Sequence, residues 1–272
     1  MVKFLSIVTG ETYRNGEGQT RTRGGGNAYK NQMLACESQL NLLHNIVKKN
    51  NIDCDIFFNL YKFNEKFDNE IVNMYSKFPL TGNFNSHPFG EENLIHQTID
   101  FLNQNRSKVE QYLFIFLFRT DHFLKKYFNV VFDVHQKNIL FSFPSIPGIP
   151  NVKNINELLR DDKVWVDHQI MFIPQKYIPH FLDYKIWNRH ESYTYAINNG
   201  IIENDLWFFI DTYHSSSTDM TWNPLYHQVG RNEIKTWEDR GYFLDKKTRR
   251  PIYKSEDSSY IQLINNDFTE NC

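Results

Sequence analysis

Apolar residues recur along this chain at two different periods. Residues 3–9 form a short β-rich run that stops at Gly10. A polar stretch follows to residue 26, carrying Arg14, Arg21 and Arg23 and closing on Gly24-Gly25-Gly26. Over residues 28–49 the period lengthens. Met33, Cys36, Leu40, Leu43 and Val47 recur at three- and four-residue steps, with Lys30, Glu37, Asn41 and Lys48 elsewhere on the cylinder, which predicts an amphipathic helix. Residues 55–61 predict a second strand, and helices around 64–78 and 91–104 flank a loop containing Gly, Pro and His. Residues 112–118 are continuously apolar, as a strand covered on both faces would be.

The second half is less regular. Strands are expected at 138–143, 164–173 and 206–210. Helices are expected from residue 174 or 175 and over 191–199, and a loose tail over 256–272. Strand–helix–strand alternation in the first half predicts a single α/β domain with a mostly parallel central sheet flanked by helices.

Composition narrows the class. The chain has 272 residues, 40% hydrophobic and 23% charged, which suits one large globular domain. A net charge of −2 gives no broad basic surface, so no nucleic-acid partner is expected. Cys36, Cys54 and Cys272 include no close-spaced pair, which points away from a disulfide scaffold or a cysteine zinc site and towards a cytoplasmic setting. No apolar run approaches the roughly 20 residues of a membrane span. The apolar N-terminus reaches Gly10, Glu11 and Arg14 too early for a signal peptide and reads as a buried first strand.

Three places could carry chemistry. Ligands of open α/β sheets bind at the carboxyl ends of the strands, and the segment after the first strand brings Gly10, Arg14, Arg21, Arg23 and a glycine run to that edge. Backbone N–H groups and arginines there favour phosphate, although no P-loop and no dinucleotide fingerprint is present. At the same edge, Arg119-Thr120-Asp121 follows the third strand. Asp121 is a hard oxygen ligand for a divalent cation, and Arg119 can pair with phosphate or orient Asp121. The alternative is a surface ion pair, or a helix cap for residues 123–128. Asp167 lies within the apolar segment 164–173, where an acid is costly to bury without a partner; it is a candidate base for an acceptor hydroxyl, or a cap or salt bridge. His190 and His214 flank the last helix and strand, and His214 is the candidate second metal ligand. Trp165, Trp187, Trp207, Trp222 and Trp237 all fall in the second half and offer faces for sugar rings, or core.

Four segments carry a family resemblance: Gly10-Glu11 with Arg14, Asp55-Ile56-Phe57, Phe118-Arg119-Thr120-Asp121 followed by Phe123-Leu124-Lys125, and the run from Val166-Asp167-His168 to Ile173-Pro174. In their order and spacing over roughly residues 3–185 the chain resembles GT-A-type glycosyltransferases, in particular small ones encoded by large DNA viruses of algae and amoebae. The resemblance implies a nucleotide-diphosphate sugar bound by residues 1–125, an acceptor glycan bound by residues 126–255, and Mn2+ or Mg2+ at an Asp-x-Asp-type motif. It also implies a nucleoside contact from Asp55 and, for a viral protein, the host cytoplasm or the virion. Arg119-Thr120-Asp121 keeps only the final acid of that motif. Sugar transfer is the leading expectation, with Arg119 and Asp167 as catalytic groups, Gly10, Arg14, Arg21, Arg23, Asp55, Arg119 and Asp121 on the donor, and Asp121 with His214 on the metal. The rivals are a metal-independent sulfotransferase-like enzyme and a non-catalytic carbohydrate-binding or virion protein.

Overall fold

The computed structural model describes residues 2–15, 22–23, 28–85, 91–124, 133–145, 165–187, 192–201, 206–208 and 226–228. In chain order its elements are β1 (Lys3–Glu11), β2 (Arg14–Asn15), β3 (Thr22–Arg23), α1 (Ala28–Asn50), β4 (Asp53–Tyr61), α2 (Glu65–Met74), β5 (Leu80–Asn85) and α3 (Glu91–Gln104). After these come α4 (Arg106–Val109), β6 (Phe114–Arg119), β7 (His122–Leu124), β8 (Ile139–Ser145) and β9 (Trp165–Pro174). Two 3-10 segments (Gln175–Leu182 and Tyr184–Trp187) lead to α5 (Ser192–Asn198), β10 (Leu206–Phe208) and β11 (Tyr226–Gln228).

Among the described residues seven strands form one sheet in the order β10-β8-β9-β6-β1-β4-β5. All run the same way except β9, which is antiparallel to both neighbours. This is the expected α/β class with a mostly parallel sheet. Strand alternation sorts the side chains onto two faces. Phe4 and Val8 of β1 and Phe114, Phe116 and Phe118 of β6 enter one core with α1 and α2. Leu5, Ile7, Ile115 and Leu117 enter a second core with α3, the 3-10 segments and α5. Both faces of β6 are therefore covered, and its unbroken apolar run follows from that.

Chain order places the functional edge. From β1 the chain moves outward through α1 to β4 and β5, then returns to lay β6 against the other side of β1. The connections leaving β1 and β6 thus diverge, and the gap between their carboxyl ends is a topological switch point.

Some elements depart from the sequence reading. β5 occupies part of the expected loop, with Gly82 so close to β4 that a Cβ there would lie 2.6 Å from Phe58. Residues 123–128 do not open with a helix, because β7 pairs antiparallel with β11, more than 100 residues later. The helix expected from residue 174 or 175 is 3-10 in form and contains Pro179, which removes a donor from any α-ladder. The polar stretch after β1 holds a minimal hairpin, β2 with β3. Among the described residues no helix is long and apolar enough to cross a membrane.

Candidate functional site

At the switch point β1 and β6 end together. Thr9 is in register with Arg119, and the Thr120 N–H donates to the Thr9 carbonyl at 2.8 Å. Gly10 follows with φ +120°, a conformation that side chains rarely adopt. A Cβ built on it would lie 3.9 Å from Arg119 Nε, so the glycine backbone stands against the guanidinium. Arg119 donates from Nε to Asp121 Oδ1 at 2.8 Å and from Nη2 to Oδ2 at 3.0 Å, a two-pronged pair with fixed orientation. The Asp121 side chain is fully buried while that of Arg119 is 21% exposed, so the pair turns its cationic end outward.

Two glutamines on α1, seven residues apart and so on one helix face, fix this rim from behind. Tyr75 donates its hydroxyl to the Gln39 amide oxygen. The Gln39 amide nitrogen is thereby aimed at the carbonyls of Arg119, Thr120 and His122, at 3.1, 3.3 and 2.7 Å. Gln32 bridges the two strand exits. Its amide oxygen accepts from the Tyr13 N–H at 3.0 Å, and its nitrogen donates to the Thr120 carbonyl and hydroxyl at 3.0 and 3.2 Å. Neither glutamine stood out in the sequence, where polar residues on a long helix read as its solvent face; both are buried. Cys36, between them in sequence, has its thiol pushed up to about 11 by burial, which keeps it a neutral packing group.

Tyr13, just past β1, holds a left-handed φ of 56° although it is fully packed. Such a conformation costs about 1–3 kcal/mol and persists where the surroundings over-determine it. Here Gln32 takes its N–H, the Phe67 carbonyl accepts from its hydroxyl at 2.6 Å, and Phe63 and Phe67 pack against its ring. The next residue, Arg14, lies opposite Arg23 in the β2–β3 register.

The expected site residues divide clearly. Gly10, Arg14, Arg23, Arg119 and Asp121 are on one rim or the hairpin that leaves it. Asp167 reaches the same rim through its backbone: β9 is antiparallel to β6, and residue 167 lies before Ile170, the partner of Phe118. Asp55 does not belong to this group. It is in register with Leu5, five residues from the Gly10–Leu60 pair, so about 16 Å of strand separates it from the rim. Its carboxylate instead accepts from Lys3 Nζ and Lys108 Nζ, both at 3.0 Å, and from the Tyr112 hydroxyl at 2.6 Å. Burial alone would raise its pKa, but these three partners outweigh burial and hold it below its ordinary value. Asp55 is a structural acid of the amino edge, and its assignment to the nucleoside is corrected accordingly. Arg21, His190 and His214 lie outside the described residues.

The metal expectation can be tested on the donor set. Mg2+ and Mn2+ favour several hard oxygen ligands. Both Asp121 oxygens already accept from a guanidinium, and among the described residues no three His, Cys, Asp or Glu side chains are grouped to share an ion. Asp121 is thus the partner of Arg119 among the described residues, and the expected second metal ligand, His214, lies outside them.

No protein-family model matches this sequence, and no curated protein matches it. Solved structures are similar in layout. A glycosyltransferase involved in glycosylating the major capsid of PBCV-1 has a TM-score of 0.33 at 7% identity, over 78% of this chain and 81% of that one. The inositol-1-phosphate CTP transferase from T. maritima has a TM-score of 0.41 at 10% identity, over 77% and 86%. A mannosyltransferase from Pyrobaculum calidifontis, in complex with GDP-Man and Mn2+, has a TM-score of 0.38 at 8% identity, over 78% of this chain and 55% of that one.

Proposed function

We propose that this chain is a GT-A-like glycosyltransferase that moves a sugar from a nucleotide-diphosphate donor to a hydroxyl of a glycan or protein-linked acceptor. The observation that carries the reading is the meeting, at one switch point, of Gly10 and the Arg119–Asp121 pair, whose arginine is partly exposed. An anionic diphosphate suits a rim that carries a partly exposed guanidinium. Asp167, on the same rim by strand register, is the candidate base.

In the proposed reaction the acceptor oxygen bonds to the anomeric carbon as the carbon–phosphate-oxygen bond breaks. The nucleoside diphosphate leaves with the electron pair, and the acceptor proton passes to the Asp167 carboxylate. Negative charge grows on the departing phosphate, so Arg119, already oriented by Asp121, stabilises the transition state more than the ground state. No step is assigned to a metal ion.

The sulfotransferase-like alternative would use the same rim without a metal and differs in the group transferred. A thermal-shift screen of uridine, guanosine and cytidine diphosphate sugars, followed by mass spectrometry of the products, separates the two. A donor that raises the melting temperature and loses its sugar supports the proposal, because a bound ligand stabilises by mass action. Stabilisation by none of them, or transfer of sulfate instead, would sink it.

A further inference from the structure

We infer that Gln32 is a positioning residue that locks the exits of β1 and β6 together, so that the Gly10–Tyr13 segment and the Arg119–Asp121 turn form one rim of fixed shape. This inference rests on the proposed reaction at that rim and names the side chain that sets its geometry.

Three observations lead to it. First, Gln32 is fully buried on α1, and the two ends of its amide face groups of opposite kind. The Tyr13 N–H can only donate and the Thr120 carbonyl can only accept. The amide oxygen must therefore face the β1 exit, at 3.0 Å, and the nitrogen the β6 exit, also at 3.0 Å. The same nitrogen reaches the Thr120 hydroxyl at 3.2 Å. Gln39 gives its nitrogen to the β6 exit and its oxygen to Tyr75, so of the two glutamines it is Gln32 that spans both exits. Second, the β1 exit is strained. Gly10 has φ +120° and Tyr13 φ 56°, and the bond from the Tyr13 N–H to Gln32 helps to hold that conformation. Third, the two exits touch. The Thr120 N–H donates to the Thr9 carbonyl at 2.8 Å, and a Cβ on Gly10 would lie 3.7 Å from the Thr120 methyl. A slip at one exit is felt at the other, and small misplacements beside reacting atoms cost rate steeply.

The test compares Gln32→Leu and Gln32→Glu with the wild-type full chain. In amide hydrogen exchange without ligand, Gln32→Leu should lose about tenfold or more of the protection at the Tyr13 N–H, as expected when a buried hydrogen bond goes. The Thr120 N–H, which bonds Thr9 rather than Gln32, should lose protection with it. Deprotection at Tyr13 alone makes the exits independent and overturns the inference. With whichever uridine, guanosine or cytidine diphosphate sugar the wild type turns over, kcat of Gln32→Leu should fall about tenfold or more while KM changes by less than about threefold. Gln32→Glu supplies the rescue. Its carboxylate accepts from Tyr13 but cannot donate to Thr120, whereas the protonated acid does both. Burial raises a glutamate's pKa, so its kcat deficit against wild type should close from about tenfold at about pH 8 to within about threefold at about pH 5.5. The deficit of Gln32→Leu should stay constant over that range. Melting temperatures at each pH establish that the variants are folded. Should Gln32→Leu not fold, Gln32→Glu on both sides of its titration carries the test alone. A wild-type kcat in the folded variants, or a Gln32→Glu deficit that does not shrink with falling pH, overturns the inference and leaves the transferase reading standing. A wild-type chain that turns over none of these donors removes both.

Discussion

Asp55 and Asp121 are both buried, and each is held by basic side chains, yet they sit at opposite ends of the same sheet and do different things. Asp55, near the start of β4, accepts from two lysines and a tyrosine. Its lysines are surface groups, 39% and 63% exposed, whose charge is largely met by water. Asp121, just beyond β6, is completely enclosed and accepts both prongs of one arginine that is itself mostly covered. The first arrangement satisfies an acid and stops there. The second spends the acid on aiming a cation, at the edge where strand exits diverge and a ligand can enter.

The sharpest way to break this comparison is Asp121→Ala. Removing one partner of a buried pair leaves a largely desolvated charge, so a loss of about 3 kcal/mol in unfolding free energy is expected. Sugar turnover should fall about a hundredfold or more, as when a transition-state donor is lost. Chemical denaturation and a donor-turnover assay check the two parts, and a fully active variant would remove Asp121 from the site.

Next in size is Gly10→Ala. The nearest atom to the added Cβ is an ordinary 3.7 Å away, so the effect comes from φ +120° rather than from a clash. It should cost about 2 kcal/mol. Donor affinity, read by calorimetry, should drop with it.

Gln39→Leu should cost about 2 kcal/mol by stranding three carbonyls and the Tyr75 hydroxyl. Because it loosens the turn that carries Arg119, kcat should fall more than KM rises. An unchanged kcat would reduce the glutamine to a packing role.

The smallest effect belongs to the other end of the sheet. Asp55→Asn should cost about 1–2 kcal/mol and leave donor affinity unaltered. The pH dependence follows from the sign of its shift. The folded-state pKa lies below the ordinary 3.8, so its contribution is complete above that value and is lost as pH falls through the lower folded-state value. Wild type should therefore lose stability below about pH 4, and Asp55→Asn should flatten part of that slope in acid denaturation. A weakened donor affinity in this variant would reunite the two ends and undo the distinction.

Several features were readable without coordinates. The unbroken apolar run before Arg119 marks a strand buried on both faces, and β6 is that strand. The three- and four-residue spacing from Met33 to Val47 marks α1. The position of Arg119-Thr120-Asp121 just past a buried strand placed it at a carboxyl edge. Other features were not legible. β5, short and interrupted by Gly82, has no clear period. β7 exists only because β11 pairs with it. Gln32 and Gln39 look like solvent-facing residues until the strand exits are seen folded over them.

What the sequence alone determined is local: periodicity, the exits of strands and the residue types available there, because backbone geometry imposes periods of 2.0 and 3.6 wherever a face is buried. Tertiary structure decided which acids keep company. Asp55 opens an apolar strand segment and Asp121 follows one, but nothing local names the partners that each acid meets. Strand register brings Lys3 and Lys108 to the first at the amino edge, and Gly10 to the Arg119 that pairs with the second at the carboxyl edge. Register arises from contacts between residues far apart in the chain, which no local pattern encodes.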